Sequence, residues 1–212
     1  AECAYIHNLR NNANPGVLWK LAGEGSWRRN YHTFLDGNLY PTHGLGPVAQ
    51  YMGINRGDNF KRIVSMSSPE FNLTEFRDKH NPNGGRHKDE KYVCGDINTA
   101  IIKTELGRTI MIQHDVVSPR PYSRINALCG TKATFFGYPD RLCVDGSHDW
   151  TYEGPAMEKF MKENGHPIWK KIGDYARKGG FGHGGMDYVM NWRLLDCVRQ
   201  GITPDMTVYD AA

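Results

Sequence analysis

No stretch of the 212-residue chain approaches the roughly 20 consecutive apolar residues that cross a bilayer, so no membrane span is expected. Charge of one sign is missing too. The 26 Lys and Arg face 23 Asp and Glu, which leaves a formal charge of only +3. The basic residues are scattered, and the local run Trp27-Arg28-Arg29 is too short to track a phosphate backbone, so nucleic acid is not an expected partner. Cysteine is sparse and unpatterned. Cys3, Cys94, Cys129, Cys143 and Cys197 are odd in number and lack CxxC spacing, and they read as free, mostly buried thiols. There is no G-x-S-x-G elbow and no evident Cys–His pairing. Asp145-Gly146-Ser147-His148-Asp149-Trp150 lacks a second histidine at helical spacing, so no metal is expected. No leader peptide is visible, but the chain starts at Ala1 rather than Met, and that absence carries no weight.

What is present is an ordinary globular composition, with 39% hydrophobic and 11% aromatic residues and 24 glycines to make turns. Ala4 to Leu9 alternates like a strand and runs into a loop at Asn11–Gly16. A strand so near residue 1 suggests a chain cut from something longer. Thr42 is placed to cap a helix whose apolar positions are Leu45, Val48, Ala49 and Met52, with Pro47 expected in its first turn. Lys61–Ser65 reads as a strand and residues 67–91 as a long polar excursion. Asn98–Thr104 and Thr109–Asp115 flank the turn Glu105-Leu106-Gly107-Arg108, which predicts a hairpin. A second is predicted from Ile125–Leu128 and Ala133–Tyr138 around Cys129-Gly130-Thr131-Lys132. From Gly154 the texture is helical. The last helix carries Met186, Val189, Met190, Leu194, Cys197 and Val198 on one expected apolar face and stops at Gly201. Strands first and helices afterwards predict an α+β domain on a mainly antiparallel open sheet flanked by helices.

Two glycine-rich stretches imitate a dinucleotide-binding loop. Gly44-Leu45-Gly46-Pro47-Val48-Ala49 follows no buried strand, and Pro47 removes an amide that a pyrophosphate would need. Gly180-Phe181-Gly182-His183-Gly184-Gly185 follows a charged helix end, with too little chain beyond it for a mononucleotide fold. No nucleotide-binding domain is expected within these residues.

Three segments hold side chains able to do chemistry, each with two readings. In Asn38-Leu39-Tyr40-Pro41-Thr42-His43-Gly44, a helix start disfavours imidazolium, so His43 is either a neutral base or donor or a bystander beside a capping Thr42. Proline on both sides of Arg120 stiffens the approach to Tyr122, which is either aimed at a ligand or packing in a structural turn. Gly182-His183-Gly184-Gly185 either lets backbone approach a ligand or makes a tight turn between helices.

Taken in order, Tyr5-Ile6-His7-Asn8-Leu9-Arg10, Trp27-Arg28, Leu39 to Gly44, Ile54-Asn55-Arg56-Gly57, His114-Asp115, Arg120-Pro121-Tyr122, His166 to Lys171, Gly182 to Tyr188 and Val208-Tyr209-Asp210 resemble the C-terminal domain of Gfo/Idh/MocA oxidoreductase-like proteins. The resemblance is narrowest to glycoside hydrolase family 109. It implies residues 1–212 as a substrate-binding and oligomerisation domain truncated at both ends, with NAD held mainly by a preceding Rossmann domain. It also implies a glycosidase for α-linked N-acetylgalactosamine, working by transient oxidation at sugar C3 and elimination rather than through a carboxylate pair. Position by position it implies Tyr5 and His43 for proton transfer and Arg28, Tyr40, Pro41, Thr42 and Tyr122 for sugar contact. Asn8 would touch the cofactor, and His183 would stand near the site. The implied partners are a carbohydrate substrate and a second copy of the chain met through the sheet face, and export from a bacterial cell is expected. A sugar or inositol dehydrogenase and a non-catalytic sugar-binding or assembly module are the competing readings. On any of them, turnover by residues 1–212 alone is not expected.

Overall fold

The computed structural model describes residues 1–10, 24–80 and 87–210, and within them the chain divides into two compact units, Ala1–Pro139 and Asp140–Ala212. The loop expected at 11–16 and the glycine-rich part of the 67–91 excursion lie outside the described residues.

The first unit is built on a four-stranded sheet in the order β1-β4-β3-β2, formed by β1 (Glu2–Ile6), β2 (Phe60–Ser67), β3 (Asn98–Thr104) and β4 (Thr109–Asp115). The β3–β4 hairpin has the predicted bounds and pairs antiparallel, as does β2 with β3. β1 pairs parallel with β4, with Cys3 opposite Ile112 and Tyr5 opposite His114. The sheet is therefore open and mixed. Strand alternation sends Cys3, Ala100, Ile102, Ile110 and Ile112 to one face, where Val48 of helix α2 (Thr42–Tyr51) and Met52 just past its end cover them. Val64, Ile101 and Met111 are in cross-strand register on the other face, and Val64 and Ile101 are exposed there.

Several predicted details are corrected. Thr42 is the first residue of α2 rather than its cap; Pro41 takes the cap position and no side chain bonds there. Pro47 lies in the second turn, inside the helix. The 67–91 excursion contains a helix, α3 (Asn72–His80), whose free amides are met by carboxylates. Glu70 accepts from the Leu73 and Thr74 amides and Asp96 from those of Phe71 and Asn72. Helix α1 (Glu24–His32) is an element that no pattern in the sequence announces. The second hairpin is shorter than expected, β5 (Leu128–Cys129) against β6 (Ala133–Phe136), because Ile125 and Asn126 take positive φ angles that break the strand before it.

The second unit holds a short strand, β7 (Arg141–Val144), and three helices, α4 (Gly154–Asn164), α5 (Pro167–Lys178) and α6 (Met186–Gln200). Gly185, at φ 93°, lies so close to Ala176 that a Cβ there would stand 2.7 Å from its carbonyl carbon, which brings the start of α6 hard against α5. Phe181 stacks on Tyr188 at 4.7 Å. The C-terminal stop at Gly201 is as predicted, at φ 67° with its amide on the Val198 carbonyl. The predicted apolar face is a correction: of its six residues only Cys197 is buried, while Met186, Met190, Leu194 and Val198 are exposed. Arg193, paired with Asp196 and Asp205, and the ring of Tyr188 take the sheltered side instead. Among the described residues no helix is long and apolar enough to cross a membrane.

A tyrosine–histidine corner as candidate functional site

The same alternation that buries Cys3 carries Tyr5 onto the α2 side of the sheet, at the far end of β1. His7, two residues on, continues that parity just past the strand, where its amide still bonds the Asp115 carbonyl. The Tyr5 hydroxyl lies 3.0 Å from His7 Nδ1. Helix α2 supplies His43 and the segment before it supplies Tyr40. Their rings stand 4.8 Å and 5.0 Å from that of Tyr5, and 4.7 Å from each other. A glycine makes this approach possible. A Cβ on Gly44 would sit 2.6–2.9 Å from the Ala4 backbone, so only glycine lets α2 rest directly on β1.

Helix α1 closes one side. Trp27 and Tyr31, and Arg28 and His32, are each four residues apart and so share adjoining stripes of the helix. The Arg28 guanidinium lies 4.8 Å from the Tyr40 ring centre and 4.5 Å from that of Trp27. Its Nε is buried without a hydrogen-bond partner among the described residues. Tyr122 joins through His7, ring centres 5.0 Å apart and edge to face, and its hydroxyl accepts from Arg124 Nε at 2.6 Å. Behind the corner is a small recess of about 20 Å³, walled by Trp27, Tyr31 and Tyr40, with His32 and His114 among its lining.

The electrostatics follow from burial beside one cation. Burial raises the Tyr5 phenol above its ordinary value, with Arg28 pulling partly the other way. His7 is lowered by burial and then by Arg28. His32 falls to about 4 for the same two reasons, and His114 to about 3 through burial, then His32 and Arg28. Near neutral pH the three imidazoles are uncharged, and Tyr5 keeps its proton beside an acceptor nitrogen. A protonated phenol, a neutral imidazole in contact with it and a second imidazole across the ring form a set able to give and take protons.

The structure thus brings together Tyr5, Arg28, Tyr40, His43 and, through His7, Tyr122. Pro41 and Thr42 sit at the start of α2 beside them, Pro41 with its carbonyl on the Gly44 and Leu45 amides and Thr42 exposed. Asn8 follows His7, and its side-chain oxygen accepts from the Arg10 amide and guanidinium. His183 belongs to the second unit, where it takes φ 54° and holds Asp187 at 2.9 Å. Sequence reasoning missed His7, His32 and His114 as site residues. The spacing of His7 from Tyr5 along a strand, and of His32 from Arg28 along a helix, were available signals. The β1–β4 register that brings in His114 was not. Among the described residues no group of three His, Cys, Asp or Glu is placed to hold a metal ion. Gly44–Ala49 is helical and packed on β1, which leaves it no room to cradle a phosphate.

The open sheet of this α+β domain thus ends in a corner of tyrosine, histidine and arginine side chains, with no carboxylate pair in it among the described residues. The whole of residues 1–212 matches the family described as "Glycosyl hydrolase 109, C-terminal domain", and the chain belongs to that family. It is 47% identical to a glycosyl hydrolase family 109 protein of Solibacter usitatus, covering 99% of this chain and 46% of that protein. Relatives in Shewanella baltica (47% identical, 100% and 46% covered) and Akkermansia muciniphila (45% identical, 100% and 45% covered) bear the same family name. The chain spans about half the length of the curated relatives it matches. Among solved structures, an inositol dehydrogenase homolog from Azotobacter vinelandii, complexed with NADH and myo-inositol, covers 73% of this chain and 36% of its own, with 13% identity and a TM-score of 0.38.

Proposed function

We propose that this chain is the substrate-handling part of a glycosidase that uses NAD and acts on α-linked N-acetylgalactosamine. The observation that carries the reading is the Tyr5–His43–Tyr40 ring cluster beside Arg28, a proton-transfer and sugar-contact set assembled without paired carboxylates. When bound, NAD would supply a hydride acceptor for oxidation at sugar C3 and a hydride donor for its reversal. The described residues contain no pyrophosphate cradle, so in this reading the cofactor is held by parts of the protein outside this chain. Asn8 is the contact offered from here, since Arg10 occupies its oxygen and its amide nitrogen is left to donate.

This chain's own work is proton movement and positioning. A sugar ketone at C3 makes the C2 proton acidic. One member of the Tyr5 and His43 pair removes that proton as the C1–O bond breaks, and the other protonates the departing oxygen. Water then adds at C1 and the proton returns to C2. His7 Nδ1, in contact with the Tyr5 hydroxyl, accepts the phenolic proton and passes it to and from the surroundings. Arg28, Tyr40, Pro41, Thr42 and Tyr122 hold the sugar ring.

The test uses the full-length protein and p-nitrophenyl α-N-acetylgalactosaminide. His43→Ala and Tyr5→Phe are each expected to lower kcat by about 10²–10⁴-fold. Unchanged turnover in both, or net NADH accumulation from a free sugar without aglycone release, would defeat the reading, the latter in favour of a dehydrogenase. The 212-residue chain alone is expected to show no turnover when NAD is added.

A further inference from the structure

Arg28 and Arg29 are consecutive on α1, so they point about 100° apart around its axis. Arg28 reaches over the Tyr40 ring and, among the described residues, makes no ion pair. Arg29 turns inward instead, 4% exposed, with its Nε 3.2 Å from Oε2 of Glu90. That carboxylate also meets His87 Nδ1 at 2.8 Å through Oε1 and accepts from the Tyr92 hydroxyl at 3.0 Å through Oε2. The Glu90 backbone carbonyl accepts from Arg77 of α3. A few residues on, the Val93 and Cys94 amides both bond the carbonyl of His32, the last residue of α1. A nine-residue helix has too few internal bonds to fix its own place. Residues 87–94 therefore grip α1 twice, by a side chain at Arg29 and by main chain at His32.

We infer that Glu90 is a positioning residue for the sugar site, setting through Arg29 where α1 lies and hence where Arg28 meets Tyr40 and the substrate. The inference rests on the sugar-binding reading given above. Both Glu90 oxygens are already engaged, so Arg28, one residue along, is not drawn to the carboxylate and keeps its charge turned to the corner. That charge is felt there by Tyr5, His7, His32 and His114 alike. Without the carboxylate, the Arg29 cation would be buried and unmatched. Such an ion is driven toward water, and on this short helix its movement displaces α1 and Arg28 with it.

The test is a double-mutant cycle in the full-length protein with p-nitrophenyl α-N-acetylgalactosaminide. Glu90→Gln should raise KM about 10-fold and leave kcat within about 2-fold, the pattern of a lost ring contact rather than of lost proton transfer. In an Arg28→Ala background the same change should move KM by less than about 2-fold, because the contact it misplaces is already gone. Equal effects in both backgrounds would overturn the inference and leave Glu90 to the fold alone. A fall in kcat with KM unchanged would overturn it too. Should Glu90→Gln fail to fold, Arg29→Gln breaks the same link without stranding a buried cation, and the same outcomes are read from it. Calorimetric Kd values for N-acetyl-D-galactosamine repeat the cycle without turnover. Coupling in Kd with no hydrolysis by the wild type would end the glycosidase reading and keep the positioning role; hydrolysis with additive losses would do the reverse. A wild type that neither binds the sugar nor hydrolyses the glycoside removes both.

Discussion

The two units use their apolar residues in opposite ways. In β1, β3 and β4 the strand pattern and the burial agree on one face, since Cys3, Ile102, Ile110 and Ile112 point where alternation says and α2 covers them. In residues 140–212 the helical pattern of α6 and the burial disagree. Leu194, Leu195 and Val198 face outward, and an Arg193–Asp196–Asp205 network takes the sheltered side. Periodicity reports which residues could share a face. Whether that face is buried depends on what else is there to cover it. The first unit supplies α2 as cover for that one face of its sheet; the apolar face of α6 has no such cover within its own unit.

Three measurements bear on this contrast. The largest effect expected is on activity-independent stability. Ile110, fully buried between the sheet and α2, should cost about 2–5 kcal/mol when changed to Ala. Leu194→Ser and Val198→Ser should stay within about 0.5 kcal/mol. Denaturant melts give both, and a large loss in the α6 variants would mean that this face is covered in solution, which breaks the contrast.

Next in size is a pH effect from the polar core of the first unit. Unfolded, His32 and His114 take a proton near 6.5; folded, they do so only near 4 and 3. The unfolded chain therefore binds more protons at mildly acidic pH. Stability is full above about pH 6.5 and falls as pH drops below it, by at most about 1.4 kcal/mol per pH unit for each histidine. In a His32→Gln, His114→Gln double variant the decline between pH 6.5 and 4.5 should flatten. An unaltered slope would show that these rings are not what titrates.

The smallest effect expected is on association. The open sheet face presents Val64, Met66 and Ile101, and we propose it as the surface through which two copies of the chain meet. Val64→Lys should shift the mass measured by light scattering toward the monomer, with no change in the melting of a monomeric control. A wild type that is monomeric at high concentration removes the proposal.

What the sequence disclosed divides along similar lines. The β3–β4 hairpin was legible because alternation and a Gly-containing turn are local signals, and α6 because Gly201 and Pro204 end it. Helix α3 was not, since half of its amide capping comes from Asp96, some 24 residues away from Asn72. The site was read largely through resemblance. The residues alone left His43 and Tyr122 each with two meanings, and it is the placement of Tyr5 beside His43 that narrows the first. His114 became visible only through a parallel register between the chain's first strand and its fourth, which no local pattern encodes.

One contact in the first unit has a further consequence. Gly44 is the neighbour of His43, and the backbone it rests on is that of Ala4, the neighbour of Tyr5. The spacing between the two rings is therefore gauged one residue away from each, by a missing methyl group. The tolerance of that spacing is set by main chain meeting main chain, so a single methyl group at position 44 would push the two rings apart.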